Sequence, residues 1–223
     1  MYSRDNPSKD YSELVTAYQI LHTVGNKKQK GHSIFAGISL CDHLSSITEI
    51  IRKEKARSLL DYGCGKGWLY SKEKCKRLPL NKKGEVLTKP LQELWQLDFH
   101  ALYDPGYEEF RTLPKGKYDA VICTDVIEHI DEKDAPWVLE EIFTFAKKFV
   151  YLTIACYEAK KTFDNGRNVH VNVKKPDYWN KLLKNLHEKH SHLNVYYSLD
   201  VLDENSPPED PLKIVQVNKL ERK

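Results

Sequence analysis

Leu59-Leu60-Asp61-Tyr62-Gly63-Cys64-Gly65-Lys66-Gly67 sets a short apolar run against three glycines at alternate positions. The run, entered from Arg57-Ser58, reads as a buried strand, and the glycines mark a tight turn at its carboxyl end. Without Cβ atoms the backbone there can approach a ligand closely. Open α/β sheets bind small molecules at this end of their strands. The dinucleotide fingerprint G-x-G-x-x-G needs glycine at 68, where Trp68 stands, which disfavours a nicotinamide dehydrogenase. The spacing is instead G-x-G-x-G with an acid two positions before the first glycine. An acid so placed serves a ligand with positive charge near the turn, such as a sulfonium carrying an ammonium group, and would repel a pyrophosphate.

Elements alternate outward from this turn. Helical spacing is expected over Tyr11–Val24, over Leu40–Lys55 with Leu44, Ile47, Ile50 and Ile51 on one face, and over Pro176–His190 with Trp179, Leu182, Leu183 and Leu186 together. A helix is also expected to follow the glycine turn. Asp134-Ala-Pro-Trp opens a further helix through Ala146, with Asp134 as N-cap and an early proline. Strands are expected at Phe99–Tyr103, Tyr118–Asp125, Lys148–Cys156, His192–Leu199 and Leu212–Val217. Residues 71–90, with Lys72, Lys74, Lys76, Arg77, Lys82, Lys83 and Lys89, read as a solvated helix end and loop. The connections are too long for hairpins until the last two strands, joined by the loop from Asp203 to Asp210. The pattern predicts a Rossmann-like α/β three-layer sandwich, its sheet mostly parallel with an antiparallel C-terminal edge strand.

At 223 residues the chain fits a single domain. Its 35 Lys and Arg against 32 Asp and Glu leave a formal charge of +3, unlike the strongly basic balance of a nucleic-acid binder. No stretch approaches a membrane span, and the polar start lacks a secretory apolar core. Five scattered cysteines without C-x-x-C argue against a zinc knuckle or a disulfide framework. A reducing, cytoplasmic setting is expected, without membrane insertion.

Leu59–Gly67 is similar throughout to the first motif of class I S-adenosylmethionine-dependent methyltransferases, [VIL]-[VIL]-D-x-G-C-G-x-G. Tyr118-Asp-Ala-Val-Ile-Cys-Thr-Asp-Val-Ile-Glu-His-Ile130 resembles the fourth-strand segment of their small-molecule branch, F-D-x-V-x-x-x-x-V-L-E-H. The resemblance covers residues 40–160 and implies S-adenosyl-L-methionine as cofactor, leaving S-adenosyl-L-homocysteine. It implies a cofactor site made of Asp61, Gly63, Cys64, Gly65, Gly67, Asp125 and Val126. An acid ending the second strand usually holds the ribose. Asp104 is the first candidate, with Tyr103 near the adenine, and Asp98 competes. The gap from Asp61 to Asp104 is roughly twice that usual in the family. Pro105–Lys117 is too short for a full helix and strand, so the third strand and its helix are expected to be abbreviated.

Acceptor groups in such enzymes come from the loops after the fourth and fifth strands. Here these carry Asp125, Glu128 and His129, then Tyr157, Lys160, Lys161, Arg167, His170 and Asn172. His170 is the leading general base and His129 the second; Glu128, Tyr157, Arg167 and Asn172 are expected to contact substrate. The cations suit an acceptor bearing phosphate or carboxylate, and sugar or nucleotide-linked glycan intermediates are one class that fits. No compact ligand spacing such as H-E-x-x-H appears, so no metal is expected. The expected organisation is an N-terminal helical lid (1–39), a cofactor-binding core (40–160) and an acceptor loop with closing helix and strands (161–223). Tyr11, Tyr18, His22, His32 and Phe35 of the lid are expected chiefly to pack. Protein or nucleic-acid methylation, or a non-catalytic adaptor keeping the fold, are the alternatives. An amino-methyltransferase of nucleic acids would carry Asp/Asn/Ser-Pro-Pro-aromatic, whereas Ser206-Pro-Pro-Glu209 has the wrong last residue.

Overall fold

A computed structural model describes residues 2–80, 84–203, 205–207 and 213–223. Lys82 and Lys83 of the basic stretch, and Glu204, Pro208, Glu209, Asp210 and Leu212 of the C-terminal loop and strand, lie outside the described residues. The helices are α1 (Lys9–Thr23), α2 (Leu44–Glu54), the single turn α3 (Leu91–Leu94), α4 (Ala135–Phe145) and α5 (Pro176–Lys189). The strands are β1 (Ser58–Tyr62), β2 (Phe99–Tyr103), β3 (Tyr118–Thr124), β4 (Ala146–Ala155), β5 (Asn194–Leu202), β6 (Lys213–Ile214) and β7 (Val217–Leu220). They form a seven-stranded sheet in the order β2-β1-β3-β4-β5, with β6 and β7 both on β5. The first five are parallel, and β6 and β7 are antiparallel to β5. Val201 faces Ile214 and Ser198 faces Val217, one continuous register. The two pieces are therefore a single edge strand interrupted at Val215 and Gln216.

Strand alternation divides the core into two layers. Val121, Cys123, Val150, Leu152 and Ile154 face Val138, Leu139, Ile142 and Phe143 of α4 and Trp179, Leu183 and Leu186 of α5. Ala120, Ile122, Phe149 and Tyr151 face the opposite way, onto Ile47, Ile50 and Ile51 of α2 and onto Leu69, Leu91 and Trp95. The three-layer architecture and the antiparallel edge agree with the sequence reading.

Two local expectations are corrected. The glycine turn feeds a single 3₁₀ turn, Trp68–Tyr70, and no long helix. The abbreviation expected between Asp104 and Tyr118 is present, by contrast: only a 3₁₀ turn at Glu108–Phe110 follows Asp104, and loop stands where the family pattern has its third strand. Asp134 precedes α4 but does not cap it. Its buried carboxylate instead accepts the Trp137 indole N–H (2.7 Å), the Ser8 backbone N–H (3.0 Å) and the Ser8 hydroxyl. Arg4 pairs with Glu141 and donates to the Tyr62 hydroxyl (3.1 Å), so the segment leading into α1 is fastened to α4 twice. No helix among the described residues is long and apolar enough to cross a membrane.

Replacing Asp134 with Ala would leave three donors without their acceptor, and unfolding stability is expected to fall by about 2–4 kcal/mol. Urea denaturation of Asp134→Ala beside Asp134→Asn, which keeps one acceptor oxygen and loses less, measures it. Equal stability of all three proteins would contradict this fastening.

Candidate active site

The carboxyl ends of β1, β2 and β3 open onto a cleft, at the end of the sheet where open α/β folds bind small molecules. Its floor is Asp61, Tyr62, Gly63, Cys64 and Gly65; one wall is Asp104, Pro105 and Gly106, the other Thr124, Asp125, Val126 and His129.

Backbone bonds to β2 shape the floor. Gly63 and Cys64 donate their N–H groups to the Tyr103 carbonyl (2.7 and 3.1 Å), and Gly65 donates to Asp104 Oδ2 (2.9 Å). Gly63 has φ +82°, and a Cβ there would lie 2.2 Å from a Val126 methyl. At Gly65, φ +58°, it would meet the Phe35 carbonyl at 2.3 Å. Neither position tolerates a side chain. The other Asp104 oxygen accepts the Gly106 N–H (2.8 Å). Burial raises the Asp104 pKa, opposed by these two bonds and by Lys66. Asp98, the rival ribose ligand, sits on the surface before the opposite end of β2, paired with Arg57 at 2.6 Å.

Asp61 is buried, and its Oδ1 has no hydrogen-bond partner among the described residues. Desolvation pushes its pKa up to about 7, the Tyr70 hydroxyl opposing the rise and the Asp104 charge adding to it. The Cys64 thiol lies beside both acids and donates to the Gly65 carbonyl (3.5 Å). Burial and the two neighbouring carboxylates hold it well above the usual thiol range.

At the end of β3 the chain turns through Asp125 at φ +53°, a left-handed conformation uncommon for a residue with a Cβ. Thr153 of β4 holds that turn, its hydroxyl accepting from the Asp125 N–H (2.9 Å) and donating to the Asp125 carboxylate (3.2 Å). The next turn carries Glu128, wholly buried, and His129, whose ring lies edge-on to His170 at 4.8 Å. His129 Nδ1 lies 2.9 Å from the Val169 carbonyl and His170 Nδ1 2.7 Å from the Tyr157 carbonyl. Burial depresses both imidazole pKa values, that of His129 to about 3.

The cleft is roofed by Tyr11, Leu14, Val15, Tyr18 and His22 of α1 and by Phe35. Four of the five lid aromatics singled out in the sequence therefore line it, while His32 is exposed. Lys66, read only as the variable residue of the glycine motif, proves to be the tie. It is 92% buried by its 8% exposure, and its ammonium donates to the Ile34 (2.6 Å) and Gly31 (3.0 Å) carbonyls. Desolvation lowers its pKa to about 8. Lys161 places its ammonium 5.4 Å from the Phe35 ring centre.

Several expected site residues do not face the cleft. The Tyr103 ring is buried against Tyr62, and only its carbonyl serves the turn. Gly67 packs toward Leu102 and Phe110. Arg167 is exposed and lines a separate groove against α1 with Glu13 and Ile20. Glu128, His170, Tyr157 and Asn172 lie off the cleft wall. Asn172 is buried, its N–H bonded to the Glu128 carbonyl (3.0 Å) and its side-chain amide unpaired. The sequence reading also missed Lys213, whose ammonium meets Asp200 at 2.8 Å and acts on Asp125 and Tyr157. It stands in an edge strand with no motif around it.

Lys66→Met keeps the apolar stem and removes the ammonium from the two carbonyls. Local opening of residues 31–35 is expected to become easier by about 1.5–3 kcal/mol, read as faster amide hydrogen exchange there. Unchanged protection would show that Lys66 does not hold this segment.

A family model described as a methyltransferase domain, Methyltransf_23, matches residues 39–203. No curated protein matches the chain. Among solved structures it is similar to magnesium protoporphyrin IX methyltransferase (ChlM) from Synechocystis PCC 6803 with bound SAH. The match has 15% identity, covers 93% of this chain and 94% of that one, and has a TM-score of 0.41. The domain match spans most of the chain and includes both motifs and the floor and walls of the cleft. The orphaned acid and glycine cradle suit a cationic adenosyl cofactor. The chain belongs to the class I methyltransferases, enzymes that use S-adenosyl-L-methionine as methyl donor.

Proposed function

We propose that this methyltransferase acts at a hydroxyl of a small, polar, anionic acceptor, methylated beside His129 and His170. The observation that carries the reading is the imidazole pair made by His129 of the turn following β3 and His170 of the loop following β4, one ring on the cleft wall and the other against it. The roof of α1 and Phe35 supports a small acceptor over a protein or nucleic acid, and Lys161 offers a cation to its anionic group. In this reading residues 1–39 are the lid, 40–160 the cofactor-binding core and 161–223 the acceptor and closing segment.

Asp61, Gly63, Cys64, Gly65, Asp104, Asp125 and Val126 would hold the cofactor. Asp61 faces its positive charge and Asp104 its ribose. The bound cofactor supplies an electrophilic methyl group. That group would pass to the acceptor oxygen, leaving S-adenosylhomocysteine, and the hydroxyl proton would be taken up at the imidazole pair. Positioning is the larger contribution, up to about 7–11 kcal/mol. Assisted proton removal adds roughly 10²–10⁴-fold in rate.

Asp61 sets a pH signature. Below about 7 the cofactor-free protein holds Asp61 protonated, so binding a cation there releases a proton. S-adenosylmethionine affinity is expected to rise as pH climbs through 7. In the free protein the same raised pKa makes stability fall from the ordinary carboxylate range up to about 7. Calorimetric titration at pH 6 and 8 tests this: Asp61→Asn should bind at least tenfold more weakly and lose the Asp61-linked proton release. Unaltered affinity in that variant would remove Asp61 from the cofactor site.

His170→Ala is expected to lower kcat by about 10²-fold or more with cofactor affinity nearly intact. The assay is a coupled S-adenosylhomocysteine readout over charged sugars and nucleotide sugars. Full turnover in the variant would dismiss the imidazole pair from the chemistry.

A further inference from the structure

We propose that Glu128, His129 and His170 form a binding site for one divalent transition-metal ion. One ligand atom from each lies within 4.8 Å of the others. Two residues come from the turn after β3 and the third from the loop after β4. Only folding brings them together, and no linear spacing announces them.

Each donor is prepared for a cation. A carbonyl can only accept, so His170 carries its proton on Nδ1 toward Tyr157; the Tyr18 hydroxyl is committed to the Val169 carbonyl (2.7 Å) although it also approaches His129 Nδ1 (3.2 Å), and the same carbonyl draws the His129 proton onto Nδ1. Both rings are thereby fixed with Nε2 as a bare lone pair, the arrangement by which metal-bound imidazoles are oriented. Glu128 uses Oε1 to accept the Ala155 N–H (2.9 Å), while Oε2 is buried without a partner among the described residues. A buried carboxylate oxygen with nothing to receive is costly, and a bound cation supplies what it lacks. Two imidazole nitrogens and one carboxylate oxygen, with positions left open, suit manganese, iron, cobalt or zinc; calcium and magnesium prefer oxygen ligands. Ligand distances of about 2.0–2.2 Å require the three groups to close by about 1–2 Å around the ion.

His129 is also part of the cleft wall, so the ion would stand beside the space where the acceptor is methylated. Metal coordination lowers the pKa of a bound hydroxyl, whose proton would then leave to water. This activation rests on the hydroxyl-acceptor reading above; the metal site does not. With the ion in place both imidazoles are ligands, and easing the proton's departure passes to the ion from the metal-free imidazole pair to which it was assigned above.

The test uses the full chain, stripped with chelator and dialysed. It is titrated with Zn²⁺ and Mn²⁺ by calorimetry and with Co²⁺ by visible absorption. One saturable equivalent with micromolar or tighter affinity is expected, accompanied by Co²⁺ d–d bands. Glu128→Gln retains the acceptor for Ala155 and offers an amide in place of Oε2. This variant and His170→Gln, each verified as folded by circular dichroism, should bind at least tenfold more weakly. Absence of a saturable equivalent, or undiminished binding in both variants, overturns the site. Undiminished methylation by stripped protein in chelator overturns the activating role and leaves the hydroxyl reading intact. Stoichiometric metal binding without turnover on any hydroxyl acceptor supports the site and counts against that reading.

Discussion

The pocket depends on a clamp between neighbouring strand ends. The Tyr103 carbonyl and Asp104 carboxylate of β2 receive the N–H groups of Gly63, Cys64 and Gly65 as the chain leaves β1. Both strands end in register, Tyr62 opposite Tyr103, so the turn has a fixed wall to lean on. From that turn the Lys66 N–H reaches the Phe35 carbonyl (2.8 Å) while its ammonium holds Gly31 and Ile34. Floor and roof are thus parts of one hydrogen-bonded unit. A clamp of backbone donors also explains why a single 3₁₀ turn suffices after Gly67, where a long helix would otherwise stabilise the loop.

Acids crowd the cleft. Asp61, Asp104 and Asp125 line it and Glu128 stands behind it, while Lys66 is committed to backbone carbonyls. Burial above all, and the Asp104 charge after it, resists ionisation of Asp61, and a cation in the cleft would relieve that cost. The left-handed backbone at Asp125, held from both sides by Thr153, shows strain kept at the centre of the site by a well-ordered β4. The site is therefore prepared before a ligand arrives, and the folding of the surrounding sheet supplies that preparation.

The strand run Leu59–Asp61, the glycine spacing and the Asp125-to-His129 stretch could be read directly, because each is a local pattern with a local physical cause. So could the missing third strand, from the shortness of Pro105–Lys117. The helix expected after Gly67 could not be tested locally, since tertiary hydrogen bonds decide it. Asp134 looked like a cap because Asp before Ala-Pro usually is one; only the fold brings Ser8 to compete for its carboxylate. Arg167 sat in the right loop yet points to another groove. The grouping of His129 with His170 needs two separate loops to meet. Lys213 acts from an edge strand whose sequence carries no sign of its charge partners.

Cys64 bears on the durability of the enzyme. A sulfonium donor alkylates any good nucleophile it meets, and a thiolate is a far better nucleophile than a hydroxyl. This thiol lines the cleft proposed to hold the donor, but burial first, and the adjoining Asp61 and Asp104 charges second, hold it well above the usual thiol range. Burial is the larger of the two protections, so a substitution that opened this corner of the floor to water would make the thiol more reactive than one that neutralised the carboxylates.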